Sequence, residues 1–291
     1  MTGQSDNMKG ALLMMASMAA FTLNDACIKA LSGSVPFFQI VFLRGVVTLP
    51  LFLALGWWMG ALKIPSNARD RRLLLVRTLA EIGAVYFFLN ALFNMPIANA
   101  TAILAVLPLA ITLAGALFFA EPVGWRRIVA ICVGMVGVLI IIRPGAEGFT
   151  IYSVYAAIAV VFVVIRDLSA RRLSGDASSV LAAVVGGVGV TVFAGFGTLG
   201  EHWVGFGLAD IALLIGAAVF ILVAYVCSVM TMRVGEIGVV TPLRYTNLLW
   251  ALLLGFVFFD EWPDPWTLLG AGIIVATGVF TLAREHASRR S

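Results

Sequence analysis

Phe118-Phe119-Ala120-Glu121, followed by Trp125 and a glycine-bearing apolar run ending at Arg143, returns about 140 residues later as Phe258-Phe259-Asp260-Glu261, Trp266 and a second run ending at Arg284. Gly137 falls opposite Gly278. A further match lies nearer the start of each half. Asp25-Ala26-Cys27-Ile28-Lys29-Ala30-Leu31-Ser32-Gly33 corresponds to Asp167-Leu168-Ser169-Ala170-Arg171-Arg172-Leu173-Ser174-Gly175. The chain therefore divides into two related units, 1–145 and 146–291.

What lies between the motifs is almost wholly apolar. Of 291 residues, 62% are hydrophobic and 12% charged, against about 25% charged in a soluble domain. Too few polar groups are present to clothe a water-facing surface, so lipid is the expected solvent. A bilayer core about 30 Å thick calls for about 20 apolar residues in helical form, and unpaired backbone groups forbid open sheet there. Ten such spans are expected, at 10–31, 36–58, 73–94, 97–119, 126–142, 149–170, 178–199, 209–232, 237–258 and 265–283. The breaks carry turn chemistry: Ser32-Gly33-Ser34-Val35-Pro36, Glu121-Pro122-Val123-Gly124, Arg143-Pro144-Gly145 and Pro263-Asp264-Pro265. The apolar stretch after Lys9 exceeds a signal h-region and is taken as a retained first helix.

Basic residues fall mostly on one side of this arrangement. With the N-terminus inside, Lys9, Lys63, Arg69, Arg71, Arg72, Arg126, Arg127, Arg171, Arg172, Arg233, Arg284, Arg289 and Arg290 are cytoplasmic. The opposite loops at 200–208 and 259–264 hold Glu201, Asp260, Glu261 and Asp264 and no basic residue. The positive-inside rule then places both termini in the cytoplasm of a cell with an inner membrane. Trp57, Trp58, Trp125, Trp203, Trp262 and Trp266 sit near span ends, where amphipathic rings favour the interface. Five spans per unit is an odd number, so the second unit enters the membrane inverted. Inverted repeats are the architecture of secondary transporters, with a site at the repeat interface. Duplication kept only for packing symmetry is the alternative.

Other chemistries lack their residues. No Gly-x-x-x-x-Gly-Lys-Ser/Thr phosphate loop, Gly-x-Ser-x-Gly elbow or His-Glu-x-x-His pair is present. The histidines, His202 and His286, fall in a loop and a tail, and Cys27, Cys132 and Cys227 lack metal-ligand spacing. No cofactor, metal or catalytic residue is expected. A net charge of +4, scattered along the chain, offers no nucleic-acid surface.

The motifs resemble the drug/metabolite transporter superfamily, in particular its EamA-type members. They are Ala91-Leu92, Ala98, Ala100 and Pro108 before Phe118-Phe119-Ala120-Glu121, then Gly134 and Gly137, with Thr241-Pro242, Phe259-Asp260-Glu261, Gly272 and Gly278 in the second copy. The resemblance covers nearly the whole chain and implies an all-α polytopic fold of five plus five helices. It also implies a cavity formed by spans 1–4 and 6–9, and bacterial exporters of aromatic and other amino acids as the nearest kind. A nucleotide-sugar or phosphorylated-metabolite exchanger is the rival within the superfamily, and a lipid-handling protein or membrane enzyme the rival outside it.

Charges deep in a bilayer are functional candidates because burying them is costly. One group comprises Asp25 and Lys29, i, i+4 on span 1, with Arg44 on span 2; Asp25 is expected to pair with either cation. A second comprises Arg77 and Glu81 on span 3, with Arg244 on span 9 and Arg166 and Asp167 at the end of span 6. These are candidate gate elements, or ion pairs that only fix packing, with Lys29 and Arg166 then reaching to the interface. Arg244 is alternatively a holder of a substrate carboxylate. Proton coupling would need Asp25 or Glu81 to titrate during transport.

The less charged candidates for a substrate pocket are Asn24, Tyr86, Asn90, Thr101, Tyr225, Thr241, Tyr245, Asn247 and Trp250. Aromatic rings with a few polar tips suit a small amphipathic metabolite, and packing is the competing role for each. Glycines at 134, 137, 186, 187, 189, 270 and 272 are read as close-approach positions. Pro96, Pro108 and Pro242 are read either as kinks around a cavity or as tolerated helix boundaries. The expected partners are thus the bilayer and a small-molecule substrate; the sequence leaves oligomeric state open.

Overall fold

Helix ends are where an apolar chain must find partners for its unpaired N–H groups, and here several partners are remote in sequence. Asn67 caps the third helix, accepting from Asp70 N at 2.6 Å, and Ser178 caps the seventh, accepting from Leu181 N at 2.9 Å. The second helix is capped by the Glu201 carboxylate, which accepts from Phe38 N and Gln39 N at 3.1 Å each. The fourth is capped by Glu261, which accepts from Ile97 N at 2.9 Å. The acidic loops thus supply the counter-charge that helix N-termini attract.

The computed structural model describes residues 2–119, 124–143, 149–174, 177–234 and 240–290, without the side chains at 2–6, 127, 232–234 and 282–290. Ten helices appear among the described residues. They are α1 (Thr2–Leu31), α2 (Phe37–Trp58), α3 (Ala68–Asn94), α4 (Ile97–Phe119), α5 (Trp125–Ile142), α6 (Ile151–Arg171), α7 (Ser179–Gly197), α8 (Leu208–Val234), α9 (Thr241–Phe259) and α10 (Pro265–Arg290). No strand is found among these residues. Each of the ten expected spans falls on a helix among the described residues, the first and last helices running several residues beyond theirs.

Among the described residues, eight helices are long and apolar enough to cross a bilayer; the apolar stretches of α5 and α10, Ile128–Ile142 and Pro265–Thr281, are shorter. Several expectations lie outside the described residues. These are the turn at 121–123, Pro144 and Gly145, Gly175, the unit boundary at 145/146, the start of span 9 at 237, and the side chains of Arg127, Arg233, Arg284, His286, Arg289 and Arg290.

Two of the crossings are irregular. α4 runs as Ile97–Leu104 and Leu107–Phe119. Pro108 has no N–H to donate and its ring displaces the carbonyl four residues back, which sets the break at Ala105 and Val106. α9 opens as a 3-10 turn, Thr241–Tyr245, around Pro242 before continuing as Thr246–Phe259. Pro96 marks the start of α4, the boundary role.

The principal helix contacts form a regular set. α1 packs on α8 as α3 packs on α6; α2 on α8 as α3 on α7; α1 on α9 as α4 on α6. The pairs α2–α7, α4–α9 and α5–α10 cross between the halves. Each pairing is returned when the nth helix is exchanged for the one five places later. α5 and α10 meet backbone to backbone: a Cβ added at Gly137 would lie 2.9 Å from the Gly270 carbonyl oxygen. Gly272, also expected to permit close approach, instead faces open space.

Candidate functional site

Among the described residues, two polar chambers inside the bundle share Arg166 and Asp167 in their walls. The larger, about 370 Å³, is walled by α1, α2 and α3 from one half and by α6, α7 and α8 from the other. Phe21, Arg44, Thr48, Arg77, Glu81, Asp167 and Tyr225 contribute to it. The smaller, about 260 Å³, lies where α4 and α9 are irregular, and Thr101, Pro108, Thr241, Arg244, Tyr245 and Asn247 line it. A third cavity of about 790 Å³ is an apolar groove beside α4, α5 and α6, with Ser169 and Arg172 its only polar lining.

An ion network runs along the larger chamber. Arg166 Nε lies 2.8 Å from Asp167 Oδ1, and its Nη1 lies 3.3 Å from Glu81 Oε1. Arg77 joins at 3.7 Å from Glu81 and also donates to the Ala182 carbonyl at 2.5 Å. Gly186 makes room for that guanidinium, since a Cβ there would stand 2.9 Å from Arg77 Nη1. Arg44 has no ion-pair contact among the described residues, although Asp25 and Glu81 lie within its electrostatic reach. Thr48 Oγ1, Arg77 Nε and Tyr225 OH are buried without a hydrogen-bond partner. An unpaired buried polar group costs about 1–3 kcal/mol, and these three, two hydroxyls able to donate or accept and one N–H donor, surround one chamber.

Asp25 does not pair with Lys29. Its Oδ1 accepts from Asn24 Nδ2 at 2.8 Å, and Lys29 turns to Glu261 at 2.8 Å and donates to the Met95 carbonyl at 2.5 Å. Nor does Lys29 reach to the interface: it is buried, with the Phe259 ring 5.5 Å away. Arg244 is exposed, and among the described residues no ion pair joins it to Glu81, whose ion-pair contacts are Arg77 and Arg166. Arg143 meets Asp264 at 2.6 Å near the same end of the bundle as Lys29 and Glu261.

The remaining expected pocket residues divide. Thr101, Thr241 and Asn247 line the smaller chamber, and Tyr225 lines the larger beside Phe52, ring centroids 5.2 Å apart. Thr22 donates to Asn247 across the α1–α9 contact. Tyr245 lends the smaller chamber its ring, while its hydroxyl lies against Gly278. Tyr86 belongs to an aromatic cluster with Phe37, Phe38, Phe87 and Phe193, and Asn90 donates back to the Tyr86 carbonyl at 2.7 Å. Trp250 packs against Met14, Met18 and Val240. These three line neither chamber.

Residues 8–143 match the sequence model of the EamA-like transporter family. The first part of the chain, a little under half of it, is thus similar to the EamA-like transporter family. The chain is 25% identical to a pseudopaline exporter of Pseudomonas aeruginosa, over 94% of this chain and 96% of the exporter. It is 22% identical to an S-adenosylmethionine uptake transporter of Rickettsia conorii, over 92% and 90%. A riboflavin transporter of Vibrio cholerae is 26% identical, over 97% and 96%. A solved crystal structure of 18% identity has the same fold, with a TM-score of 0.64 over 94% of this chain and 98% of that one. These relatives are transporters of small metabolites, not enzymes.

Thr48 and Glu261 are among the residues of the site that were missed in the sequence. Thr48 stands i+4 from Arg44 on α2, so helical spacing alone was a signal for it. Glu261 was visible as a repeated motif, but nothing in the sequence tied it to Lys29.

Proposed function

We propose that this protein is an EamA-like secondary transporter exporting amino acids or related small metabolites across the inner membrane. The supporting observation is the larger chamber, whose walls come from both halves and whose polar lining includes Arg44 without an ion-pair contact and three unpartnered polar groups. Its volume of about 370 Å³ suits a small metabolite. The halves 1–145 and 146–291 act as inverted five-helix repeats that rock about the chamber, with both termini cytoplasmic. Lys29 and Glu261 serve as a gate at the outer end, remade and broken in each cycle, and the Arg166 network partitions the two chambers. Export is chosen on the resemblance to amino-acid exporters; the relatives include both an exporter and an uptake transporter.

Counterflow of labelled amino acids into proteoliposomes, with and without a pH gradient, tests this reading. Accumulation that depends on the protein is expected. Movement of nucleotide-linked solutes with none of any amino acid would overturn the amino-acid assignment, and no solute movement at all would overturn transport.

A further inference from the structure

The apolar groove of about 790 Å³ shares no lining residue with either chamber. It follows α4 from Ile103 to Phe119 and α6 from Ala157 to Arg172, so it lies between a helix of the first half and one of the second. The 15 steps from Ala157 to Arg172 (172 − 157) at 1.5 Å each make it about 22 Å long. That exceeds the roughly 15 Å that one leaflet contributes to the hydrocarbon core. The groove is open to the outside, since Leu117, Phe118 and Val161 line it and are each more than half exposed. Both α4 and α6 are long and apolar enough to cross a bilayer, so the open side faces acyl chains rather than water.

Polarity is confined to one end. Ser169 is already engaged there, its hydroxyl donating to the Ile165 carbonyl at 2.7 Å. Arg172 is different. It is exposed, makes no ion pair among the described residues, and lies with its Cζ 3.8 Å from the centroid of the Phe119 ring. A guanidinium stacked face-on to a ring keeps its N–H edge free, and that edge is the fork that takes two phosphate oxygens at once. The same end carries further positive charge. Leu73, which lines the groove from α3, follows the exposed Arg69, Arg71 and Arg72. The acid among them, Asp70, is buried and turned to Asn67 and Ser174.

We propose that the groove seats one acyl chain of an anionic phospholipid, with its phosphate held by Arg172. The chain fills the apolar length between α4 and α6 and so touches both halves. Phe119 fixes the plane of the guanidinium, and the head group meets its edge. A zwitterionic lipid brings the same phosphate with a cation beside it, which the basic end disfavours. The seat concerns a lipid and not the solute in the chambers, so it stands whether or not the transport reading holds.

The test uses delipidated full-length protein in detergent, read by thermal stabilisation and by native mass spectrometry of retained lipid. The probes are dioleoyl phosphatidylglycerol, dioleoyl phosphatidylcholine and inorganic phosphate. Phosphatidylglycerol is expected to act at a concentration at least about fivefold below phosphatidylcholine, and inorganic phosphate to give no shift. In Arg172→Gln the two lipids become equal. Arg71→Gln removes the same charge from the basic end at a position that does not line the groove, and the difference between the lipids persists. Ala110→Leu with Ala157→Leu narrows the groove and lowers retention of both lipids; should that pair not fold, Ala157→Leu alone carries this arm. Each comparison is made within one variant, so a lowered melting temperature does not mask it.

Equal response of the wild type to the two lipids overturns the seat. So does an equal loss of discrimination in Arg71→Gln and Arg172→Gln, which marks a diffuse surface potential. Undiminished retention in the narrowed groove overturns it as well, and a shift with inorganic phosphate as large as with phosphatidylglycerol shows an anion site without a chain.

Discussion

At the scale of single residues, buried charge decides most of the energetics. Lys29 holds Glu261 at 2.8 Å in a position only 9% exposed, so removing one partner strands the other. Lys29→Met is expected to cost about 3–5 kcal/mol and to lower the melting temperature by on the order of 10 °C. The double variant Lys29→Met, Glu261→Gln should lose less than the sum of the singles, as thermal unfolding of all three in detergent will show. Additive losses would mean the pair is not coupled. Asp264, just ahead of α10, responds to pH. Burial raises its pKa, but hydrogen bonds from the Thr267 side chain and backbone, the Arg143 charge and the Trp266 N–H outweigh this and leave it below the ordinary carboxylate value. A carboxylate lowered in the folded state contributes stability above its unfolded pKa of about 4, lost as pH falls through the folded value. Melting temperature should therefore drop on acidification from about pH 5 toward pH 2, and Asp264→Asn should flatten that drop. The charges themselves were legible in the sequence because polar residues stand out in apolar runs. Their partners were not, because Lys29 and Glu261 are 232 residues apart (261 − 29) and a single sequence carries no contact information.

At the scale of the helix, length and hydrophobicity made the ten spans visible, while irregularities inside them were only partly so. Pro108 announced a kink; that the break would open α4 onto a chamber with Thr101 and Arg244 needed the packing. Pro108→Ala restores an N–H and removes the ring clash. It should let α4 run through 105 and 106 and slow transport without lowering the melting temperature. Counterflow and thermal unfolding on the same preparation will check this, and unchanged transport would mean the break is incidental. The glycines divide sharply. Gly137→Ala drives a Cβ against a backbone oxygen that cannot swing aside, with an expected loss of about 1–3 kcal/mol. Gly272→Ala meets nothing within 4 Å and should be neutral. Both substitutions look alike in the sequence, since only the neighbouring helix tells them apart. The aromatic candidates failed for a related reason: Tyr86 and Trp250 have the right chemistry for a pocket but turn it toward other rings and methionines.

At the scale of the whole molecule, the principal helix pairings return under a five-helix shift. On the proposed reading, such a set gives each half an equivalent grip on the other for rocking between two states. The proposed cycle opens one end while the other is closed, so the Lys29–Glu261 contact must part for solute to leave. Cys27, Cys132 and Cys227 are free thiols, and replacing them with alanine leaves a background in which positions 29 and 261 can each carry a cysteine. The most direct measurement is counterflow in proteoliposomes before and after bridging those two cysteines with a short, reversible bifunctional thiol reagent. Bridging should abolish transport, and releasing the bridge should restore it. Undiminished transport with the bridge fully formed would contradict an outer gate at Lys29 and Glu261, and with it the alternating opening of the two ends.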